Sequence, residues 1–220
     1  YMGSDASTAV DPDHPQLKGA SFALWNDRHT AYGGFSMFDI FDRLKGMVCL
    51  IAEKTWCGEQ TREIEPADFV ARFEKLSARA GDANPAYYVP LSEDGSVPEG
   101  TKAVGFPYLV SVDVRVDSFG SGTDLFAGDV GSFYIGSDGR LGFRREVYDF
   151  SYDYKLPLNE WVNIKLVADN RQTVLIIDDT YYYYPINNRN NTLKQSSTFV
   201  LPLERIGEGL DGEYRDLKIL

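Results

Sequence analysis

Trp25 and Asp27, in the tripeptide Trp25-Asn26-Asp27, close a short apolar run from Ala20 to Trp25. An indole offers a flat apolar surface to the C–H face of a pyranose, and a carboxylate two residues on accepts charge-assisted hydrogen bonds from sugar hydroxyls. Strand alternation sets Ala23, Trp25 and Asp27 on one face, with the last two at the carboxyl end, where parallel α/β sheets carry their ligand sites. The same residues also admit a purely structural reading, with Trp25 in a core and Asp27 capping a loop. His29 follows on that loop and reads as a solvent-facing side chain rather than a catalytic one.

These two residues need a strand beneath them and something behind the strand. The run Ala20 to Trp25 is nearly all apolar or small, which suits a parallel strand covered on both faces. After a glycine-containing loop, Ser36 and Asp39 have capping-box spacing, and Phe35 and Ile40 occupy hydrophobic-staple positions, so a helix starts at Ser36. Ile40, Leu44, Val48, Ile51 and Thr55, with Phe41 and Ala52 beside them, recur at helical spacing and form an apolar stripe. Gly58 is a natural stop. Beyond Pro66, the spacing of Phe69, Val70, Phe73 and Leu76 predicts a second helix over residues 67–80.

Trp25-Asn26-Asp27, followed by an acidic, aromatic-rich helix closing in Ala52-Glu53-Lys54-Thr55-Trp56, resembles the end of the catalytic barrel in family 20 glycoside hydrolases, the β-N-acetylhexosaminidases and lacto-N-biosidases. The resemblance implies that residues 1–80 are the C-terminal segment of a (β/α)8 barrel, an α/β unit contributing the last strand and its helices. It implies that Trp25 floors the pocket for a terminal β-linked N-acetylhexosamine and that Asp27 binds the outer hydroxyls. Glu53 and Trp56 also match, but on a helix behind the strand, where surface charge and packing are their expected roles.

The reaction implied is a retaining hydrolysis assisted by the substrate's own acetamido group, which requires an adjacent Asp-Glu pair. No Asp-Glu dipeptide occurs in the chain, and Glu93-Asp94 has the reverse order. The segment therefore holds no catalytic residue, and the enzyme is expected to be the full-length parent. One parallel strand cannot pair with itself, so the rest of the barrel is expected as an upstream partner in the same polypeptide. The alternatives are a non-catalytic carbohydrate-binding or interaction module and a lacto-N-biosidase releasing a disaccharide. The resemblance implies no cofactor or metal, and a secreted or cell-surface location.

Residues 81–105 are rich in Pro, Gly and acids and read as a linker. From Tyr108, alternation changes to period two: Val110, Val112, Val114 and Val116 against Ser111, Asp113, Arg115 and Asp117, a pattern that Val162, Ile164, Leu166 and Ala168 repeat. Turn signals at Asp138-Gly139, Asp169-Asn170, Asp178-Asp179 and Asp211-Gly212 separate short strands, as in an antiparallel sandwich. The stretches at 139–146, 156–179 and 199–220 are similar to laminin-G, concanavalin-A-like jelly rolls, so residues 106–220 are expected to form an all-β jelly-roll sandwich. In the run Tyr181 to Tyr184, alternation puts Tyr181 and Tyr183 on one face, as a sugar platform or a packing surface. Asp113, Asp124, Asp129 and Asp138 lack calcium-ligand spacing and read as solvated turn acids.

Composition bounds these readings. The 220 residues are 43% hydrophobic and 14% aromatic, as in folded globular proteins, and a net charge of −11 argues against nucleic acid or anionic membrane as the main partner. No apolar run approaches the ~20 residues of a membrane span. Residues 1–10 lack signal-peptide features, and the start at Tyr1 reads as a piece of a longer polypeptide with any targeting signal upstream. Cys49 and Cys57 lie about 12 Å apart along one helix, too far for a disulfide.

Overall fold

The computed structural model describes residues 11, 14–23, 37–57, 65–77, 99–183, 185–188, 192–193 and 197–220. The chain divides into two compact units, one holding Tyr1–Trp25 and Asp42–Asn84 and the other Asn26–Phe41 and Pro85–Leu220.

Helix α1 spans Met37–Cys57 and α2 spans Pro66–Ser77. The end of α1 and the start of α2 follow the sequence signals, with Gly58 just past the first and Pro66 at the first turn of the second, where its missing N–H costs nothing, whereas α2 ends at Ser77 rather than at residue 80. Arg72 of α2 pairs with Glu53 of α1, and a groove of about 330 Å³ between them is lined by Ala52, Trp56, Phe69, Phe73 and Leu76 among others. No described side chain of either helix is buried, and Trp56 is 92% exposed. Trp56 is therefore not the packing residue that the sequence suggests. Residues 20–23 are exposed and belong to no strand. A lone strand without a hydrogen-bonding neighbour has nothing to hold it extended.

Residues 99–220 build a β-sandwich. Strands β2 (Tyr108–Val116), β7 (Trp161–Ala168), β8 (Thr173–Ile177), β9 (Thr180–Tyr182) and β14 (Gly212–Ile219) form a five-stranded sheet in the order β14-β2-β7-β8-β9. Strands β3 (Thr123–Gly128), β4 (Gly131–Ile135), β5 (Arg140–Arg145), β6 (Tyr148–Lys155), β10 (Ile186–Asn187), β11 (Thr192–Leu193) and β13 (Arg205–Ile206) form the other, ordered β11-β10-β6-β5-β4-β3-β13. A short pair, β1 (Ala103–Val104) with β12 (Leu201–Pro202), accompanies them. All these strand pairings are antiparallel.

The alternation expected of β2 is seen residue by residue, with Tyr108, Val110, Val112, Val114 and Val116 buried and the residues between them partly exposed. These meet Ile164, Leu166 and Leu175 of their own sheet and Phe126, Phe133, Phe143 and Phe150 of the facing one in a single core. Two buried phenols tie distant segments together: Tyr108 Oη of β2 donates to the Phe199 carbonyl at 3.0 Å, and Tyr152 Oη of β6 crosses to the Thr173 carbonyl of β8 at 2.8 Å. Arg145 is only 2% exposed; its Nε donates to the Thr198 carbonyl and its Nη1 pairs with Glu146 at 2.8 Å.

Candidate functional site

On the seven-stranded sheet, the pleat that sends Phe133 and Ile135 inward puts Tyr134 on the outer face, and it likewise puts Gly142, Arg144, Asp149 and Ser151 there, with Arg144 exposed, Asp149 half-buried and Tyr134, Gly142 and Ser151 covered by their neighbours. Tyr134 stands opposite Gly142, and Arg144 opposite Asp149. A Cβ on Gly142 would collide with the Tyr134 phenol and the Phe150 carbonyl. The absence of a side chain there lets the phenol cross β5 and reach β6, where Oη donates to Asp149 Oδ1 at 2.8 Å. Asn188 Nδ2 donates to the same oxygen at 2.8 Å, and its Oδ1 accepts from Ser151 Oγ at 2.8 Å.

Arg144 completes the cluster. Its Nε donates to Asp149 Oδ2 at 3.2 Å, its Nη1 lies 3.8 Å from Asp124 Oδ1, and its guanidinium sits 4.0 Å from the Tyr134 ring centroid. Burial pushes the Tyr134 phenol well above its ordinary pKa, and the hydrogen bond to Asp149 and that group's charge push it further. Tyr134 therefore remains a neutral donor across the physiological range.

Of this cluster, Tyr134, Arg144 and Asp124 line one end of an open cleft of about 590 Å³, with Asp149 and Asn188 behind them. Its walls are the start of β3 (Thr123, Asp124), the β4–β5 turn (Gly136 to Asp138) and the turn after β13, where Arg205 Nε pairs with Glu208 at 3.1 Å. Thr123 Oγ1 donates to the Glu208 carbonyl at 3.2 Å and so fixes that turn. Asp138 is held by Lys155 Nζ at 2.8 Å, whose hydrogen bond, together with the Arg140 amide, keeps its carboxyl below the usual range. The lining opposes three carboxylates, Asp124, Asp138 and Glu208, with two guanidiniums, Arg144 and Arg205. Each ion sits beside an opposite one, leaving oriented donors and acceptors with little net field. Such a surface matches an uncharged molecule that both gives and accepts hydrogen bonds.

Trp25, Asp27 and His29 lie outside the described residues. The four aspartates weighed for calcium do not gather. Asp113 belongs to the other sheet, Asp124 and Asp138 have basic partners, and the amide of Asp129 donates to Glu204 Oε1. Among the described residues no three metal-ligating side chains converge. Tyr181 and Tyr183 share an exposed face as the alternation predicts, at 53% and 45% exposure, while Tyr182 packs against the core and Tyr154. Tyr184 lies outside the described residues. Cys49 and Cys57 are free thiols. Sequence reasoning does not single out Tyr134, Arg144, Asp149 or Asn188. A glycine amid the polar and apolar alternation of Arg140–Arg145 is the only local sign of them.

No protein-family model and no curated protein matches the chain. Among solved structures, the chain is similar to a Bacteroides ovatus protein for which carbohydrate binding is suggested, with a TM-score of 0.38 and 14% identity over 56% of this chain and 39% of that one. It is also similar to a heptameric SAP-like pentraxin from Limulus polyphemus, with a TM-score of 0.35 and 16% identity over 60% of this chain and 73% of that one. A third similarity is to CG-16, a homodimeric agglutinin from chicken liver, at 0.28 and 11% over 54% and 94%. The match thus spans well under half of the Bacteroides protein. Similarity at this level decides nothing about the ligand of this chain.

Proposed function

We propose that residues 99–220 are a carbohydrate-binding β-sandwich and that the cleft on the seven-stranded sheet receives an uncharged glycan. The observation that carries this reading is the Asp124–Arg144–Asp149 chain with Tyr134 and Asn188, a polar array already held in place before any ligand arrives. Sugar hydroxyls can replace the long 3.8 Å contact between Arg144 and Asp124 with two charge-assisted hydrogen bonds, without reorganising the groups behind them.

The test is a glycan array followed by calorimetry on the 220-residue chain. Arg144→Ala and Asp124→Ala are expected to weaken binding of the best glycan by about ten- to a hundredfold, the scale of a hydrogen bond to a charged group. Added salt is expected to change affinity little, because the ligand carries no charge. Wild-type affinity in both variants would remove the cleft from the account.

A second reading rests on sequence alone. Trp25-Asn26-Asp27 and the helix closing at Trp56 favour a parent that is an exo-acting β-N-acetylhexosaminidase or lacto-N-biosidase, secreted or at the cell surface, with this sandwich as its accessory module. In that parent Trp25 and Asp27 would hold the terminal N-acetylhexosamine, and the catalytic Asp-Glu pair would come from upstream strands. Trp25→Ala in an active parent is expected to lower kcat/KM on an aryl N-acetylglucosaminide by ~10²-fold; unchanged kinetics would sink this reading.

A further inference from the structure

The five-stranded sheet also presents an outer face, and its side chains can be placed by register. Trp161 on β7 stands opposite Arg115 of β2, which stands opposite Glu213 of β14; Asn163 stands opposite Asp113, which stands opposite Arg215. Asn163 Nδ2 donates to Asp113 Oδ1 at 2.7 Å and to Ser111 Oγ at 3.1 Å, so both amide protons are engaged and the side chain is held in place. Arg215 Nε lies 3.5 Å from Asp113 Oδ2, and its guanidinium is 4.0 Å from the Trp161 ring centroid, with that of Arg115 at 5.7 Å. Two cations thus hold the indole in one orientation while 37% of the residue remains exposed.

Toward the opposite edge, Tyr181 of β9 pairs with Ile176, which pairs with Lys165, so Tyr181 is on the same outer face as Trp161. Its ring stacks with that of Tyr183 at 5.6 Å and 14°. By strand spacing and rise, Trp161 and Tyr181 are about 16 Å apart, two strands over and four residues along. The face therefore carries exposed aromatic rings at two ends of a diagonal, with the fixed Asn163 and Asp113 groups beside it and, among the described residues of the sandwich, no pocket around it.

We propose that this face is a second glycan surface, distinct from the cleft, on which an extended uncharged oligosaccharide lies with sugar rings against Trp161 and the Tyr181–Tyr183 pair. The proposal rests on the reading of the sandwich as a glycan binder. The two separated aromatic positions select internal stretches of a chain, whereas the cleft selects by hydroxyl pattern. Separated aromatic contacts make affinity grow with chain length, because a short sugar reaches only one of them.

The experiment is calorimetry of the full chain with N-acetylchitohexaose, N-acetylchitobiose and soluble mixed-linkage β-glucan, comparing Trp161→Ala, the double variant Tyr181→Ala/Tyr183→Ala, and Arg144→Ala. The wild type is expected to bind a long glycan at least tenfold more tightly than the dimer. Trp161→Ala and the double tyrosine variant are each expected to lose about tenfold on the long chain with the melting temperature unchanged, and Arg144→Ala to leave that binding intact. Long-chain binding abolished by Arg144→Ala but untouched by Trp161→Ala overturns this surface and leaves the cleft standing. Long-chain binding lost in Trp161→Ala, with Arg144→Ala also keeping wild-type affinity for the best array glycan, removes the cleft and keeps the surface. If no variant or wild-type chain binds any glycan of the panel or the array, both fall.

Discussion

Asp149 gathers the cleft's side chains, and Gly142 makes the gathering possible. Because a methyl group at Gly142 would occupy the path of the Tyr134 phenol, Gly142→Ala is expected to destabilise the sandwich by about 1–3 kcal/mol, in the range of overpacked cores, and to weaken glycan binding with it. Chemical denaturation and calorimetry on one preparation check both effects; an unchanged midpoint would show that Tyr134 has room to move. The buried phenols add a pH dependence. Tyr108, Tyr134 and Tyr152 all hold their protons well above the ordinary value of 10.0, burial being the first cause in each. The unfolded chain releases those protons near the ordinary value while the folded chain keeps them, so stability is full below it and falls as pH rises beyond it. Melting at about pH 9 and about pH 11 should show a marked drop at the higher value, with ultraviolet absorbance reporting these phenolates only upon unfolding. Ionisation of all tyrosines in the folded state would contradict the burial.

Elements were the most legible level. The first helix runs between its capping and glycine signals, the second starts at its proline but ends at Ser77 rather than residue 80, and β2 and β7 alternate as written, because one buried face imposes a period that single residues reveal. Asp178-Asp179 turns the β8–β9 hairpin with both residues at positive φ, 46° and 60°. Replacing the pair with Asn-Gly, which tolerates that conformation better, is expected to raise stability by about 0.5–1 kcal/mol in thermal melts; a loss would mean that the aspartates contribute contacts of their own. The cleft was not legible, since its residues come from β3, β4, β5, β13 and the turns beside them, with their supports on β6 and after β10, and only the register brings Tyr134 to Gly142 and Arg144 to Asp149. Arg145 escaped for a similar reason. Its position in the strand marks it as inward-facing, but a guanidinium in a core is tolerated only with partners, and beside the neighbouring Glu146 one of them, the Thr198 carbonyl, is distant in sequence.

For the whole molecule, a −11 charge sits on a chain whose two halves differ in kind. The sandwich encloses its own core, whereas the described helices bury no side chain and leave Met47, Val48, Val70 and Leu76 each more than 40% exposed. Neither helix is long and apolar enough to cross a membrane. Limited proteolysis is therefore expected to cut within residues 1–98 well before it cuts the sandwich, and equal resistance of both halves would show that the helices are covered. The central claim, that the sandwich takes an uncharged glycan in the cleft, is tested most directly by titrating the ¹⁵N-labelled chain with the best array glycan and mapping the shifted amides. We expect the shifts to cluster at residues 121–124, 134–138, 144 and 205–209, and to vanish in Arg144→Ala. Saturable shifts elsewhere, with these amides unmoved, would contradict it.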